Sequence, residues 1–209
     1  MSLPQRQPLF APDDYLAFER DAEERHEWLD GLIYDMAGES PEHSTICVNV
    51  ITTLNTQLKG KDCRVFSPNM KVYCRLKRDS SLKGLFAYPD LTVVCGQPLF
   101  HDKHKDVLIN PRVIVEVLSN STERYDRSEK FVRYRQNESL TDYVLVSQFT
   151  PNIELFSLQA DGRWLYSFEM SLAGRLAIPS IECELPLADV YDRIEFPAPE
   201  EPESPVTTE

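Results

Sequence analysis

The feature that most constrains this chain is an acid embedded in its most apolar run. Residues 113–118 read VIVEVL. A short, β-branched, uninterrupted apolar run of this kind predicts a central strand buried on both faces. Glu116 sits in the middle of it. A carboxylate there is costly unless it meets an opposite charge or a metal ion. A buried salt bridge is the plain alternative, and a functional site is the favoured reading.

The flanking segments predict an alternation of helices and strands. Asp13 or Asp14, after Pro12, opens a short helix through about Glu24. HEWLDGLIYDM reads as a hairpin, with Asp30-Gly31 suiting a turn that needs positive φ. Gly38 and Pro41 break the chain, and residues 41–59 form a helix. On it His43, Cys47, Val50, Leu54 and Leu58 share one face, and Gly60 ends it. Strands follow at Cys63–Phe66 and Lys71–Leu76, then a polar loop at 77–86, a strand at Pro89–Val94 and a polar connection at 96–111. After the Glu116 strand, Ser119–Thr122 cap a helix through about Asn137. Asp142–Ser147, Ile153–Leu158, Trp164–Met170 and Arg175–Ile178 are strands, and Ala188–Arg193 is a short last helix. This order predicts an α/β fold, a mixed central sheet flanked by helices, in a single domain over residues 1–194. Residues 195–209 are Pro-rich and acidic, and are expected to be a disordered tail.

Charge and cysteine content exclude several classes. The formal net charge is -12. Without the five acids of the tail, 29 acids still face 22 bases. A protein that coats nucleic acid should carry a basic face. Binding to DNA here needs a local basic patch, or metal ions that offset phosphate–carboxylate repulsion. Five widely spaced cysteines with no CxxC pair argue against a zinc knuckle and against a disulfide framework. No stretch approaches the roughly 20 apolar residues of a membrane helix. MSLPQRQPLFAPDDY lacks a secretory h-region, so a cytoplasmic location is expected.

Two residues give Glu116 a chemical meaning. Asp90 stands at the front of an apolar strand, where alone it reads as a turn residue. Paired with Glu116 from an adjacent strand, it can converge on a hard cation. Mg²⁺ is held by one or two carboxylates and activates water at a phosphodiester. Lys130 lies in the helix that leaves the Glu116 strand, close enough to orient water or offset phosphate charge. It could instead form an ordinary i,i+4 pair with Asp126. Tyr134, one turn on, reads as core packing. His101 and His104 lie in a polar loop without further ligands. Arg124, Arg127, Lys130, Arg133 and Arg135 form a basic stretch beside the site, as do Lys71, Arg75, Lys77, Arg78 and Lys83 elsewhere.

HEWLDGLIYDM, the helix bearing His43, YPDLTVV, VIVEVLSNST, and DRSEKFVRYRQ followed by DYVLV together resemble the Uma family of putative restriction endonucleases. That family is a branch of the PD-(D/E)xK nuclease superfamily. The resemblance runs over roughly residues 13–170. It implies a restriction-endonuclease-like core, Asp90 and Glu116 as the paired acids, and an Mg²⁺- or Mn²⁺-dependent endonuclease acting on nucleic acid, DNA above RNA. The superfamily's lysine should stand two residues after the Glu, where this chain has Leu118; Lys130 is the matching position in this branch. The resemblance further implies Glu27 as a metal ligand, His43 as an active-site residue, and a homodimer. Two rival functions remain: a catalytically silent binding or scaffold protein on the same fold, and a metal-dependent hydrolase of a small phosphorylated substrate.

Overall fold

A computed structural model describes residues 9–36, 38–75 and 83–196. Helix α1 (Pro12–Asp21) starts on Pro12, with Asp13 and Asp14 in its first turn, where the helix dipole favours acids. Strands β1 (His26–Leu29) and β2 (Leu32–Asp35) form the expected hairpin. Asp30 and Gly31 both take positive φ, 49° and 95°, the twist that an Asp-Gly pair supplies. In α2 (Pro41–Gln57) the Ser40 side chain caps the helix by accepting the His43 backbone N–H at 3.1 Å. Its inward face buries Ile46, Cys47, Val50 and Leu54, four positions set by helical spacing.

Strands β3 (Cys63–Phe66), β4 (Lys71–Arg75), β5 (Gly84–Ala87), β6 (Leu91–Cys95), β7 (Val107–Leu108) and β8 (Val113–Leu118) follow. A broken helix comes next: α3 (Glu123–Tyr125), a π turn (Asp126–Lys130) and α4 (Phe131–Tyr134). The rest is β9 (Asp142–Ser147), β10 (Ile153–Leu158), β11 (Trp164–Glu169), β12 (Arg175–Ile178), β13 (Cys183–Pro186) and α5 (Leu187–Val190). No helix among the described residues is long and apolar enough to cross a membrane.

The strands form a six-stranded sheet, order β11-β10-β9-β8-β6-β3, and a five-stranded sheet, order β2-β1-β5-β4-β7, with β12-β13 as a separate hairpin. The six-stranded sheet is mixed, because β8 and β9 are parallel and its other pairs are antiparallel. All six residues of β8 are buried. Val113, Val115 and Val117 pack on the α2 side, and Ile114 and Leu118 pack with Tyr134 and Tyr143 on the other. Each fully buried aliphatic side chain is worth about 1.5–3 kcal/mol. Five of them outweigh the desolvation of one carboxylate, several kcal/mol after relaxation. The strand therefore forms with its acid in place.

Several expectations are corrected. Part of the 77–86 loop is strand: β5, whose four residues are all buried, because GLFA fills the centre of the five-stranded sheet. Leu76 and the polar part of that loop lie outside the described residues, as does the tail from residue 197. The 96–111 connection contributes β7, which pairs in parallel with β4. The helix expected after the Ser119–Thr122 caps starts at Glu123 but ends at Tyr134, short of Asn137, and is broken by the π turn. The wide cysteine spacing argues against disulfides, yet Cys63 and Cys95 are direct partners across β3 and β6 and form one. Strand pairing over 32 residues cannot be read from spacing. Cys47, Cys74 and Cys183 are free and buried.

Arg20 ties α1 to the chain before β7. Its guanidinium lies 2.8 Å from Asp102 and 2.8 Å from Asp106, and Lys71 Nζ stands 3.2 Å from the other Asp106 oxygen. Burial would raise the Asp106 pKa, but hydrogen bonding to Arg20 and the charge of Lys71 bring it down to about 2. A depressed carboxyl stabilises the fold above its unfolded value near 3.8, and that contribution fades as pH falls through about 2. Asp106→Asn should therefore lower stability in urea at pH 7 by about 1 kcal/mol, the upper range for partly exposed pairs. The two proteins should converge toward pH 2; a gap that is constant down to pH 2 contradicts this role for Asp106.

Candidate functional site

The two sheets meet at the bend Tyr88-Pro89-Asp90, which carries the chain from β5 into β6. The bend fixes the first acid. The β6–β8 register pairs Leu91 with Val115 and Thr92 with Ile114, so Asp90 stands opposite Glu116 one step on. Directly opposed residues project to the same face of a sheet. Asp90 Oδ2 accepts the Val117 backbone N–H at 2.7 Å, which locks it against β8.

Glu116 is 3% exposed, and its Oε1 accepts from Lys130 Nζ at 3.2 Å and from the Tyr134 hydroxyl at 3.0 Å. Lys130 reaches inward from the π turn. Its Nζ also lies 3.2 Å from Glu27 Oε1 and 3.1 Å from Asp126 Oδ1. Asp126, Lys130 and Tyr134 recur every four residues and face the sheet together. The Tyr143 hydroxyl donates to the Asp126 carbonyl at 2.9 Å, a side chain joining the helical ladder where it turns to π geometry. Such π turns occur frequently at functional sites.

Glu27 comes from β1, in the other sheet. Its Oε1 accepts the Tyr88 backbone N–H at 3.2 Å, so one carboxylate braces both the bend and the lysine. His43 stands at the start of α2, with Nε2 3.3 Å from Asp90 Oδ2 and Nδ1 3.5 Å from Glu39. These residues line a cleft of about 900 Å³, whose rim includes Arg25, Tyr125, Glu129 and Gln148.

Charge in this cleft is unbalanced. Burial pushes the Glu116 carboxyl well above the usual range; Lys130 opposes this, and Asp126, Asp90 and Glu27 add to it. Burial alone would lower the Lys130 pKa, but Glu116, Glu27 and Asp126 hold it well above the usual value. The lysine is therefore a fixed cation. Burial and the Glu116 charge keep Tyr134 protonated as a donor. Burial lowers the His43 pKa, but hydrogen bonding to Asp90, with help from Glu39, raises it on balance. Five acids, Glu27, Glu39, Asp90, Glu116 and Asp126, thus face one lysine and one histidine, an excess of carboxylates that suits a hard divalent cation.

All five sequence-predicted residues, Asp90, Glu116, Lys130, Glu27 and His43, line this cleft. Sequence reasoning undervalued two others. Asp126 is buried beside the lysine instead of forming a surface pair, and Tyr134 donates to Glu116 as well as packing in the core. Their four-residue spacing from Lys130, all facing the Glu116 strand, was the available signal. The basic stretches are largely neutralised: Arg127 pairs with Glu123 and Glu154, Arg133 with Asp30, Lys83 with Asp30, and Lys71 with Asp106. Lys77 and Arg78 lie outside the described residues.

The Uma2 family model, described as putative restriction endonuclease, matches residues 12–187. A Synechocystis sp. relative named uncharacterized protein slr1290 is 34% identical over 189 residues, covering 90% of this chain and 95% of its own. A second from the same organism, uncharacterized protein sll1609, is 30% identical over 152 residues, covering 73% and 82%. The crystal structure of a putative nuclease belonging to DUF820 from Anabaena variabilis superposes with a TM-score of 0.69 at 15% identity, covering 87% of this chain and 97% of that one. That likeness establishes a nuclease-type fold.

Charge imbalance at Glu116 has a measurable consequence. An acid whose pKa is raised by folding costs no stability below its unfolded value of 4.5, and the cost grows as pH rises above it. With a chelator present, Glu116→Gln should raise Tm at pH 8 by about 2–4 °C, on the order of 1 kcal/mol. The gain should vanish near pH 4.5 in scanning calorimetry. A lower Tm for the variant at pH 8 contradicts the imbalance.

Proposed function

This chain belongs to the Uma2 family of putative restriction endonucleases, and on that premise we propose that it is an Mg²⁺- or Mn²⁺-dependent phosphodiesterase that cuts nucleic acid, DNA above RNA. The observation that carries the reading is Asp90 opposite Glu116 across β6 and β8, at a cleft where Lys130 already touches Glu116. Asp90 and Glu116 would hold the ion, with Glu27 completing its shell through water. When bound, such an ion stabilises phosphate charge and lowers the pKa of a coordinated water.

The chain's own side chains do the rest. Lys130, held protonated, is no proton acceptor; it is an electrostatic donor to a non-bridging phosphate oxygen or to the attacking water. Tyr134 fixes the Glu116 carboxylate by donating to Oε1. The Val117 N–H and His43 fix Asp90. Glu27 and Asp126 keep the lysine placed and charged. A homodimer that presents two such clefts would cut both strands.

A small phosphorylated substrate is the second reading, because the cleft rim carries Asp35, Glu39 and Glu129 against a single arginine, Arg25. One assay separates the two. Wild type should cleave plasmid and oligonucleotides with Mg²⁺ or Mn²⁺ and lose this in EDTA. Glu116→Ala should reduce the rate at least about 10²-fold, as removal of a group acting on transition-state charge does. Turnover of a model phosphodiester with DNA and RNA left intact favours the small substrate. Cleavage that survives in EDTA, or in Glu116→Ala, contradicts both.

A further inference from the structure

Beside the acids, α2 places a thiol that the phosphodiesterase chemistry does not use. Cys47 follows His43 by one helical turn, and its Sγ lies 3.6 Å from His43 Nδ1. Asp90 Oδ2 lies 3.3 Å from His43 Nε2. With one donor atom from each, His43, Cys47 and Asp90 lie within 4.8 Å of one another. In a tetrahedral zinc site, bonds of about 2.3 Å to sulfur and 2.0–2.1 Å to nitrogen set donors about 3.3–3.6 Å apart. The three donors therefore need to close by little more than about 1 Å.

The histidine suits the task. An imidazole gives one nitrogen to an ion, and Nε2 is the one turned to Asp90. Nδ1 then lies between the Glu39 carboxylate at 3.5 Å, which can fix tautomer and ring orientation, and the Cys47 sulfur at 3.6 Å, so Sγ must shift from Nδ1 toward Nε2 to share the ion. The donor set is also selective. Mg²⁺ takes oxygen ligands, whereas thiolate and imidazole favour zinc-type ions.

We propose that His43, Cys47 and Asp90 form a binding site for a thiophilic divalent cation of the zinc type, distinct from the Mg²⁺ position and sharing Asp90 with it. On binding, the Cys47 thiol loses its proton to solvent and its sulfur bonds the ion as a thiolate. Asp90 and His43 Nε2 are the other protein ligands, and water fills the fourth position. Because Asp90 is shared, the softer ion draws its carboxylate from the hard-ion position and inhibits cleavage; that consequence alone rests on the phosphodiesterase reading.

The test is a Co²⁺ titration of the full chain, freed of metal and without added thiol. The expected result is a near-ultraviolet thiolate-to-cobalt charge-transfer band that saturates and is displaced by Zn²⁺. Cys47→Ser, checked for folding by circular dichroism, should lose the band; Cys74→Ser and Cys183→Ser should keep it. In the wild type, Zn²⁺ should also slow alkylation of Cys47 and leave Cys183 unaffected, a readout that needs no variant. Saturation by Co²⁺ without the band, a band that survives Cys47→Ser, or Cys47 alkylation indifferent to Zn²⁺ overturns the site. Mg²⁺-dependent cleavage by wild type, run in parallel without zinc, persists if only this inference fails.

Discussion

Lys130 holds its ammonium within 3.2 Å of three carboxylates, Glu27, Glu116 and Asp126, and the joining of the two sheets at the site depends on that contact. Each carboxylate comes from a different structural unit: a hairpin, a central strand and a π turn. Removing the lysine would leave buried charges without compensation, which costs about 3–5 kcal/mol for such pairs. The contact therefore acts as a fastener between the two sheets as well as a fixed cation in the cleft.

The fold explains why these groups meet. The bend Tyr88-Pro89-Asp90 joins the sheets, and Glu27 grips its backbone from below. A second buried network supports it: the Tyr88 hydroxyl donates to Glu19 at 2.6 Å, Lys71 donates to that hydroxyl at 3.2 Å, and Lys71 leads on to Asp106 and Arg20. Asp90 is thereby placed by contacts from α1, β1, β4, α2 and β8. Placement of this kind, on strands and packed helices, gives the precision that a reactive constellation needs.

Much of this was legible in the sequence, for stated reasons. An acid inside VIVEVL has few physical excuses, so Glu116 was visible at once. The Asp-Gly turn and the face of α2 followed from φ preference and helical period. Other parts were hidden because they depend on tertiary pairing. GLFA reads as the end of a loop until β4 and β1 flank it. Cys63 and Cys95 become neighbours only through the β3–β6 register. Asp126 looks like half of a surface ion pair until the π turn buries it. The neutralisation of the basic stretches was hidden because their acidic partners, Glu154 and Asp30 among them, are distant in sequence.

The account's central claim is that the excess negative charge around Lys130 is completed by a hard divalent ion between Asp90 and Glu116. Crystals soaked in Mn²⁺ and measured for anomalous scattering test it directly. The account predicts a manganese peak coordinated by one oxygen from each of these two acids, with Lys130 still in contact with Glu116. A peak elsewhere, or no peak while Asp90 and Glu116 keep only their protein partners, would contradict it.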